Sequence, residues 1–282
     1  MAETTPTPHP ATTPPHARGR ARTAAFFDLD KTIIATSSAA AFSAPFYRGG
    51  LISRTAALRS AYAHFLFMMG GASESQTERL RANLSTLVTG WPVEQVTAIV
   101  ADTLHQYIDP VVYAEALDLI DAHRSAGRDV IIVSASGSEL VAPIASLLGA
   151  DDYIATHMQI VDGHYTGLID FYAYGPHKAT AIEELAQVCG YDLTASYAYS
   201  DSITDAPMLT TVGHAYTVNP DRALRKLAQE NHWGILTFRR PVALRRRGRR
   251  SALLGGMLLA AGITALFLAM RARRRARQSR SA

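Results

Sequence analysis

Two carboxylates separated by one residue follow an apolar run near the start of this chain. Residues 24–27 are apolar, and Asp28 and Asp30 stand where the buried strand predicted for that run would end. Ligands of open α/β sheets bind at the carboxyl ends of strands. Because burying two unpaired carboxylates is costly, the pair predicts a bound hard cation such as Mg²⁺, with one carboxylate free to attack an electrophile.

Three later segments also place polar side chains at the ends of predicted elements. A β-branched run at 128–133 ends in hydroxyls, a lysine opens a predicted helix, and a third strand-like run ends in two acids spaced four apart. The candidates are, in chain order, Ser134, Ser136, Lys178, Asp201 and Asp205.

The order of acid pair, hydroxyl, lysine and acid pair resembles the haloacid dehalogenase superfamily, in subfamily IB, which contains the phosphoserine phosphatases. The resemblance covers residues 24–238. It implies a Rossmann-like α/β core with a parallel sheet and a helical cap inserted after the first motif. It also implies Mg²⁺-dependent hydrolysis of a small phosphomonoester through a phospho-aspartate intermediate.

The resemblance gives each candidate residue a role. Asp28 is the nucleophile and Asp30 the general acid and base, and an acid at this second position favours phosphoester hydrolysis over carbon–halogen cleavage. Lys178 neutralises charge on the phosphoryl group and the nucleophile. Ser134 binds a phosphoryl oxygen, with Ser136 and Thr32 as further residues on the substrate side. The implied metal ligands are Asp28, the backbone carbonyl of Asp30, Asp201, and Asp205 through water or as an orienter of the lysine.

Each assignment has a structural alternative. Ser134 could cap the following helix, Lys178 could be solvated in the first turn of its helix, and Asp205 could be an N-cap. A cation in the first turn of a helix is electrostatically unfavourable unless an anion lies nearby, which favours the functional interpretation of Lys178.

The predicted elements are those of a capped enzyme. Residues 24–36 and 110–238 predict strands alternating with helices, including a helix at 110–127 and a hairpin at 161–165, and hence a parallel sheet covered on both faces. Residues 37–109 have helical spacing and predict a cap that closes over the nucleophile. An ordinary helical bundle around the apolar residues 65–69 is the alternative.

The net charge of +4 conceals two parts of opposite charge. Residues 1–230 hold 15 Lys and Arg against 24 Asp and Glu, whereas residues 231–282 hold 13 Arg and no acid. Residues 1–23 predict a disordered leader without the apolar core of an export signal. The single cysteine, Cys189, excludes a disulfide framework and favours a reducing compartment, and the histidines show no metal-ligand spacing.

An uncharged segment of 20 residues, 251–270, lies between a basic linker at 239–250 and a basic tail at 271–282. As a helix it would span about 30 Å, the hydrocarbon core of a bilayer. We predict a C-terminal transmembrane anchor with the catalytic domain on the cytoplasmic face and the arginines on anionic lipids. The alternatives are a buried helix, a tilted or re-entrant helix, and the less favoured binding of nucleic acid by the arginines.

Two positions disfavour phosphoserine as the substrate. Ser37 stands where phosphoserine phosphatases carry a glutamate that helps hold the amino group, and Lys31 stands where they usually carry Gly or Ser. Phosphoserine is therefore the alternative substrate, and a membrane-derived phosphoester and a non-catalytic, membrane-tethered scaffold are further hypotheses. Arginines of the predicted cap could bind a substrate carboxylate or a second phosphate. These arginines are Arg48, Arg54, Arg79 and Arg81.

Overall fold

A seven-stranded sheet in the order β4-β3-β2-β1-β5-β6-β7 forms the centre of the computed structural model, which describes residues 22–52 and 88–241. The strands are β1 Ala24–Asp28, β2 Asp129–Gly137, β3 Asp152–Val161, β4 His164–Phe171, β5 Tyr197–Ser200, β6 His214–Val218 and β7 Gly234–Leu236. The helices within these ranges are α1 Ser38–Arg48, α2 Val93–Tyr107, α3 Ala114–Ser125, α4 Ser138–Leu148, α5 Pro176–Cys189, α6 Ala206–Thr210 and α7 Arg222–Glu230.

The α/β fold with a parallel sheet is confirmed. All five residues of β1 are buried, as expected for a central parallel strand covered on both faces. Phe27 belongs to the apolar cluster on one face of the sheet and Phe26 to the cluster on the other. Only β4 pairs antiparallel among the described strands, through the predicted hairpin, where Asp162 and Gly163 both have positive φ.

The register of the sheet brings the candidate residues to one edge. β1 lies between β2 and β5, with Asp28 opposite Val133 and Phe27 opposite Tyr199. Parallel strands end at the same edge, so Ser134 and the Ser200–Asp201 pair follow directly beside the end of β1. The motifs at Ser134 and Asp201 are therefore positioned by the pairing of β2 and β5 with β1, the strand that ends at Asp28.

The helix predicted at 110–127 is shorter than expected. A 3₁₀ turn at Asp109–Val111 precedes α3, which begins only at Ala114. Between them the chain is extended, because Val112 pairs with Ile34 and the Tyr113 amide donates to the Ile33 carbonyl at 2.9 Å. Pairing with the loop after β1 overrides helical propensity at these positions.

The start of the predicted basic linker packs on the domain. Tyr113 forms a bridge with Pro241, and the Ala114 amide donates to the Arg240 carbonyl at 2.8 Å. The Arg240 Nε also donates to Glu115 at 3.1 Å. We call residues 239–241 the C-terminal strap. At the other end, Arg22 forms a bridge with Tyr191.

The two ends of the predicted cap pack against the core. α1 and α2 contact α4, and Phe42 and Val96 join the same apolar cluster as Leu29. Residues 53–87 of the predicted cap, including 65–69, lie outside the described residues, as do 1–21 of the leader and 242–282. None of the helices in the described ranges is long and apolar enough to cross a membrane. The predicted anchor at 251–270 lies outside those ranges.

His123 is a buried histidine that should make stability depend on pH. It lies on α3, is 4% exposed, and shares a 2.8 Å hydrogen bond between Nε2 and the Tyr199 hydroxyl. Burial, with Arg128 nearby, lowers the pKa of His123 to about 4. Because the folded pKa lies below the unfolded value, neutral His123 contributes stability above about pH 6.5, and this is lost as pH falls through about 4.

We expect urea unfolding to show this. Between about pH 7 and pH 4, the wild type should lose on the order of 3 kcal/mol more unfolding free energy than His123→Gln. The exposed His177→Gln is the matched control and should follow the wild type. Parallel pH curves for wild type and His123→Gln would contradict the assignment.

Candidate active site

Asp28 lies at the end of β1 with both carboxylate oxygens engaged. Lys178 Nζ donates to Oδ1 at 2.7 Å, and the Thr32 hydroxyl donates to Oδ2 at 2.9 Å. Asp28 and Thr32 are both buried. This hydrogen bond from Thr32 orients the predicted nucleophile, and the contact of Thr32 with substrate stays a prediction.

Lys178 is buried between two acids. It lies in the first turn of α5, which begins at Pro176. The preceding residue, Gly175, has a φ of 56°, a backbone conformation that favours glycine. Lys178 is 2% exposed, and its Nζ donates to Asp28 and also to Asp205 Oδ2 at 2.9 Å. The solvated-lysine interpretation is wrong, because the anions that compensate a cation at a helix N-terminus lie within hydrogen-bonding distance.

Asp205 occupies the N-cap position of α6 without capping it through its side chain. Its carboxylate instead accepts from Lys178 and, at 2.7 Å, from the Ser200 hydroxyl. The cap interpretation of Asp205 is therefore wrong for the side chain. Ser200, the last residue of β5, was missed by the sequence analysis, although a serine directly before Asp201 at a strand end was a signal for it.

Asp201 follows β5 in a loop that is tied to α7. Its carbonyl accepts from the Asp221 amide at 3.1 Å. Asp221 caps α7 by accepting from the Leu224 amide at 2.7 Å, and its other oxygen accepts from the Ile203 amide at 3.0 Å. Asp221 thus fixes the loop between Asp201 and Asp205. Asp221 is a further residue of the site that was not predicted from the sequence.

Asp30 is held by a helix N-terminus and a serine. The Ser38 amide, in the first turn of α1, donates to Oδ1 at 2.8 Å, and the Ser136 hydroxyl donates to Oδ2 at 3.2 Å. The Ser38 and Ser136 hydroxyls are 2.7 Å apart. Ser136 therefore contacts the predicted general acid, and its place on the substrate side stays a prediction. Ser38 was missed, although free amides in the first turn of a helix are suited to an anion.

Ser134 is 1% exposed, near the end of β2, and its hydroxyl accepts from the Ser136 amide at 3.2 Å. It does not cap α4, whose N-cap is Gly137 without a side-chain bond. Its hydroxyl proton can still be donated to a ligand at the sheet edge. The predicted role in phosphoryl binding stays a prediction.

The environments of Asp28 and Asp30 differ. Burial raises the pKa of Asp28 well above its usual value, with Lys178 opposing and Asp205 and Asp201 adding to the rise. Burial also raises the pKa of Asp30, and the hydrogen bonds from Ser38 and Ser136 oppose it. One carboxylate is thus paired with a cation, whereas the other is held by neutral donors, as expected for a nucleophile beside a proton donor.

Removing the Ser136 hydroxyl should shift the titration of Asp30. Because that hydrogen bond stabilises the ionised form, Ser136→Ala should raise the pKa of Asp30 and move the corresponding limb of the kcat/KM profile to higher pH. Ser43→Ala, at an exposed site on α1, is the control. If the pH profile of kcat/KM for Ser136→Ala is not shifted, the ionisation of Asp30 does not control kcat/KM.

The site has too little positive charge for its acids. Although burial alone would lower the pKa of Lys178, Asp205 and Asp28 raise it above its ordinary value. Burial raises the pKa of Asp201 to about 7, despite the opposing charge of Lys31. One buried lysine among four acids therefore leaves ionised carboxylates unfavourable, and a divalent cation would relieve this.

The available donors fit a hard cation. The carboxylates of Asp28 and Asp201 and the Asp30 carbonyl are oxygen donors of the kind Mg²⁺ prefers, with water and substrate completing its coordination. Within residues 22–52 and 88–241, no group of three or more His, Cys, Asp or Glu side chains is arranged to hold a metal by itself. Such a site depends on backbone, water and substrate oxygens.

Comparison with known families agrees with this geometry. Residues 25–210 match the family model described as haloacid dehalogenase-like hydrolase. The chain belongs to this family. The match spans both acid pairs and Lys178, so the resemblance inferred from the motifs is confirmed, and the chain is an enzyme of a hydrolase family.

Several bacterial relatives are similar over most of their length. A Streptomyces azureus protein named for inhibition of morphological differentiation is 60% identical over 80% of this chain and 82% of its own. A Mycobacterium tuberculosis protein named as a probable phosphatase is 57% identical over 83% of each chain. A second protein from that organism, named as a phosphoserine phosphatase, is 34% identical over 91% of this chain and 82% of its own. A Bordetella pertussis structure of unknown function is 28% identical over 77% of this chain and 99% of that one, with a TM-score of 0.67.

Proposed function

We propose that the protein is a Mg²⁺-dependent phosphomonoester hydrolase that forms a phospho-aspartate at Asp28. The observation that carries the proposal is the buried contact of Lys178 with Asp28 at 2.7 Å and Asp205 at 2.9 Å. A fixed cation beside a carboxylate at the edge of the sheet supplies the positioning and charge neutralisation on which phosphoryl transfer depends. The relatives named as phosphatases support the same chemistry.

The reaction divides between the two acids. A carboxylate oxygen of Asp28 forms a bond to phosphorus while the bond from phosphorus to the leaving oxygen breaks, and Asp30 gives its proton to that oxygen. Asp30 then takes a proton from a water that attacks phosphorus, and the bond between phosphorus and Asp28 breaks. Lys178 and Ser134 contact the phosphoryl oxygens. Bound Mg²⁺, held by Asp28, Asp201 and the Asp30 carbonyl, would neutralise phosphoryl charge.

Phosphate release by the full-length chain in mild detergent tests this function. The panel would contain phosphoserine, sugar phosphates, nucleotides and lysophosphatidate, each with Mg²⁺ or with EDTA. We expect release that EDTA abolishes and Mg²⁺ restores, with Asp201→Asn requiring at least about 10-fold more Mg²⁺. Turnover that is unchanged in EDTA would contradict the metal requirement, and absence of release from every compound would favour the scaffold hypothesis.

Phosphoserine is the second candidate substrate, favoured by the relative that carries that name. The structure gives Ser37 a different task, because its hydroxyl accepts from the Ala40 amide at 3.1 Å and caps α1. A helix cap presents no carboxylate to the amino group of serine. We therefore expect phosphoserine to be a poor member of the panel.

We also propose that residues 251–270 anchor the protein in a membrane. The C-terminal strap is fixed to the domain, so nine residues, 242–250, separate Pro241 from the apolar segment. Fully extended, they reach about 30 Å. This short tether and the arginines on both sides support an active domain held close to a surface rich in anionic lipid.

Two measurements test the anchor and its orientation. Glutamate at both Leu258 and Leu259 should release the protein from the membrane fraction, whereas alanine at both positions should not. A membrane-impermeant maleimide tests the orientation through Cys189, the single cysteine. If the domain is cytoplasmic, the reagent should label Cys189 only after cell lysis. The variant Cys189→Ala should abolish the signal. Labelling of intact cells would contradict the cytoplasmic location.

A further inference from the structure

Lys31 stands out in the loop that carries the two catalytic acids. Between residues 24 and 38 it is the one exposed residue, whereas Asp30 is half-buried and Thr32 is fully buried. Its neighbours Asp30 and Thr32 point into the site through the hydrogen bonds already described. Lys31 is therefore at the rim of the site, beside the acid that faces the leaving group.

The backbone holds Lys31 in a conformation that a lysine rarely adopts. Its φ is 62°, in the left-handed region that favours glycine and asparagine. The loop is fixed there, because the Lys31 amide donates to the Thr36 carbonyl at 3.2 Å and the Ile33 amide donates to the Leu29 carbonyl at 3.0 Å. A side chain at this position works against folding, and glycine would fit the turn at lower cost.

The Lys31 ammonium forms no ion pair within the described part of the chain. Lys178 is already shared by Asp28 and Asp205. Of the predicted anion-reading arginines, Arg48 donates to the Tyr107 hydroxyl at 2.9 Å, and the other three lie outside the described residues.

We propose that Lys31 binds a second anionic group, a carboxylate or a second phosphate, on the leaving-group part of the substrate. Lys178 contacts the phosphoryl group deeper in the site, whereas the ammonium of Lys31, at the rim next to Asp30, can bind a further anion. The protein thereby selects phosphomonoesters whose alcohol portion has a net negative charge, unlike that of phosphoserine, whose ammonium group balances its carboxylate. This inference rests on the proposed phosphatase function and names the substrate class for it.

A matched pair of substrates tests the selection. Glycerol phosphate and phosphoglycerate differ by a hydroxymethyl group against a carboxylate. We would measure kcat/KM for both with the full-length chain and with Lys31→Arg, Lys31→Asn and Lys31→Gly. Asn and Gly both tolerate the left-handed backbone, so these variants remove the charge without adding strain. Lys31→Arg keeps the charge.

The wild type and Lys31→Arg should prefer phosphoglycerate by about 10-fold or more, and Lys31→Asn and Lys31→Gly should lose that preference because kcat/KM falls more on phosphoglycerate than on glycerol phosphate. An equal fall on both substrates would place Lys31 on the phosphoryl group or the metal and overturn the proposal. Equal wild-type rates on both substrates would also overturn it. Failure of the wild type on every phosphomonoester, in contrast, would count against the proposed function itself.

Discussion

Asp28→Asn is expected to abolish phosphate release, lowering kcat by at least about 10⁴-fold. The amide preserves the shape of the side chain and one acceptor oxygen, but it cannot form an acyl phosphate with the substrate phosphorus. Lys178 keeps its second contact, with Asp205, so the site should stay folded. Stopped assays of phosphate release with Mg²⁺ and the best substrate of the panel would measure the loss.

The same variant separates catalysis from stability. Because burial raises the pKa of Asp28, its ionised form destabilises the metal-free fold increasingly as pH rises above the ordinary carboxyl range. The neutral amide escapes this, so the Tm of Asp28→Asn relative to the wild type should rise with pH. Asp102→Asn, at an exposed site on α2, is the matched control and should change neither quantity. Retained turnover in Asp28→Asn would exclude Asp28 as the nucleophile.

Lys178→Met is expected to remove both activity and stability. The variant leaves Asp28 and Asp205 buried without their common cation, and breaking one side of a buried ion pair costs about 3–5 kcal/mol. The loss in unfolding free energy should be smaller at low pH, where Asp28, whose pKa is raised by burial, is protonated. We expect kcat to fall at least about 10³-fold, since no cation then neutralises the negative charge on the phosphoryl group during its transfer.

A double variant distinguishes the two effects of Lys178. Adding Asp205→Asn to Lys178→Met removes one of the stranded charges, so part of the lost unfolding free energy should return. Activity should not return, because the cation beside Asp28 is still missing. Urea unfolding and kcat would be measured for the two single variants and the double variant. If the double variant is no more stable than Lys178→Met, the buried charges are not the cause of the loss.

The sequence was sufficient to predict the residues that carry strong chemical constraints. Asp28, Lys178 and Asp205 belong to motifs whose residue types are unusual at strand ends and helix starts, and in the structure Lys178 contacts both acids. The predicted hairpin at 161–165 likewise depends on the local preference of Asp162 and Gly163 for positive φ.

Other features depend on partners far apart in the chain. Ser200 and Ser38 are ordinary serines until the sheet register and the start of α1 bring them to Asp205 and Asp30. The helix predicted at 110–127 begins at Ala114 because residues 112–113 pair with the loop after β1 and with the strap. Lys31 was visible as a departure from the family pattern, but its left-handed backbone and its exposure required the structure.

Trapping the covalent intermediate tests the central claim most directly. Full-length Asp30→Asn would be mixed with Mg²⁺ and p-nitrophenyl phosphate, whose leaving group needs no proton from Asp30. Loss of the general base should then slow only hydrolysis of the intermediate, and the mixture would be quenched in acid and treated with borohydride. Borohydride reduces an aspartyl phosphate to homoserine, which peptide mass spectrometry can locate. We predict homoserine at position 28, dependent on substrate and absent when Asn replaces Asp28. Homoserine at another aspartate, or turnover in the wild type with none at position 28, would contradict the account.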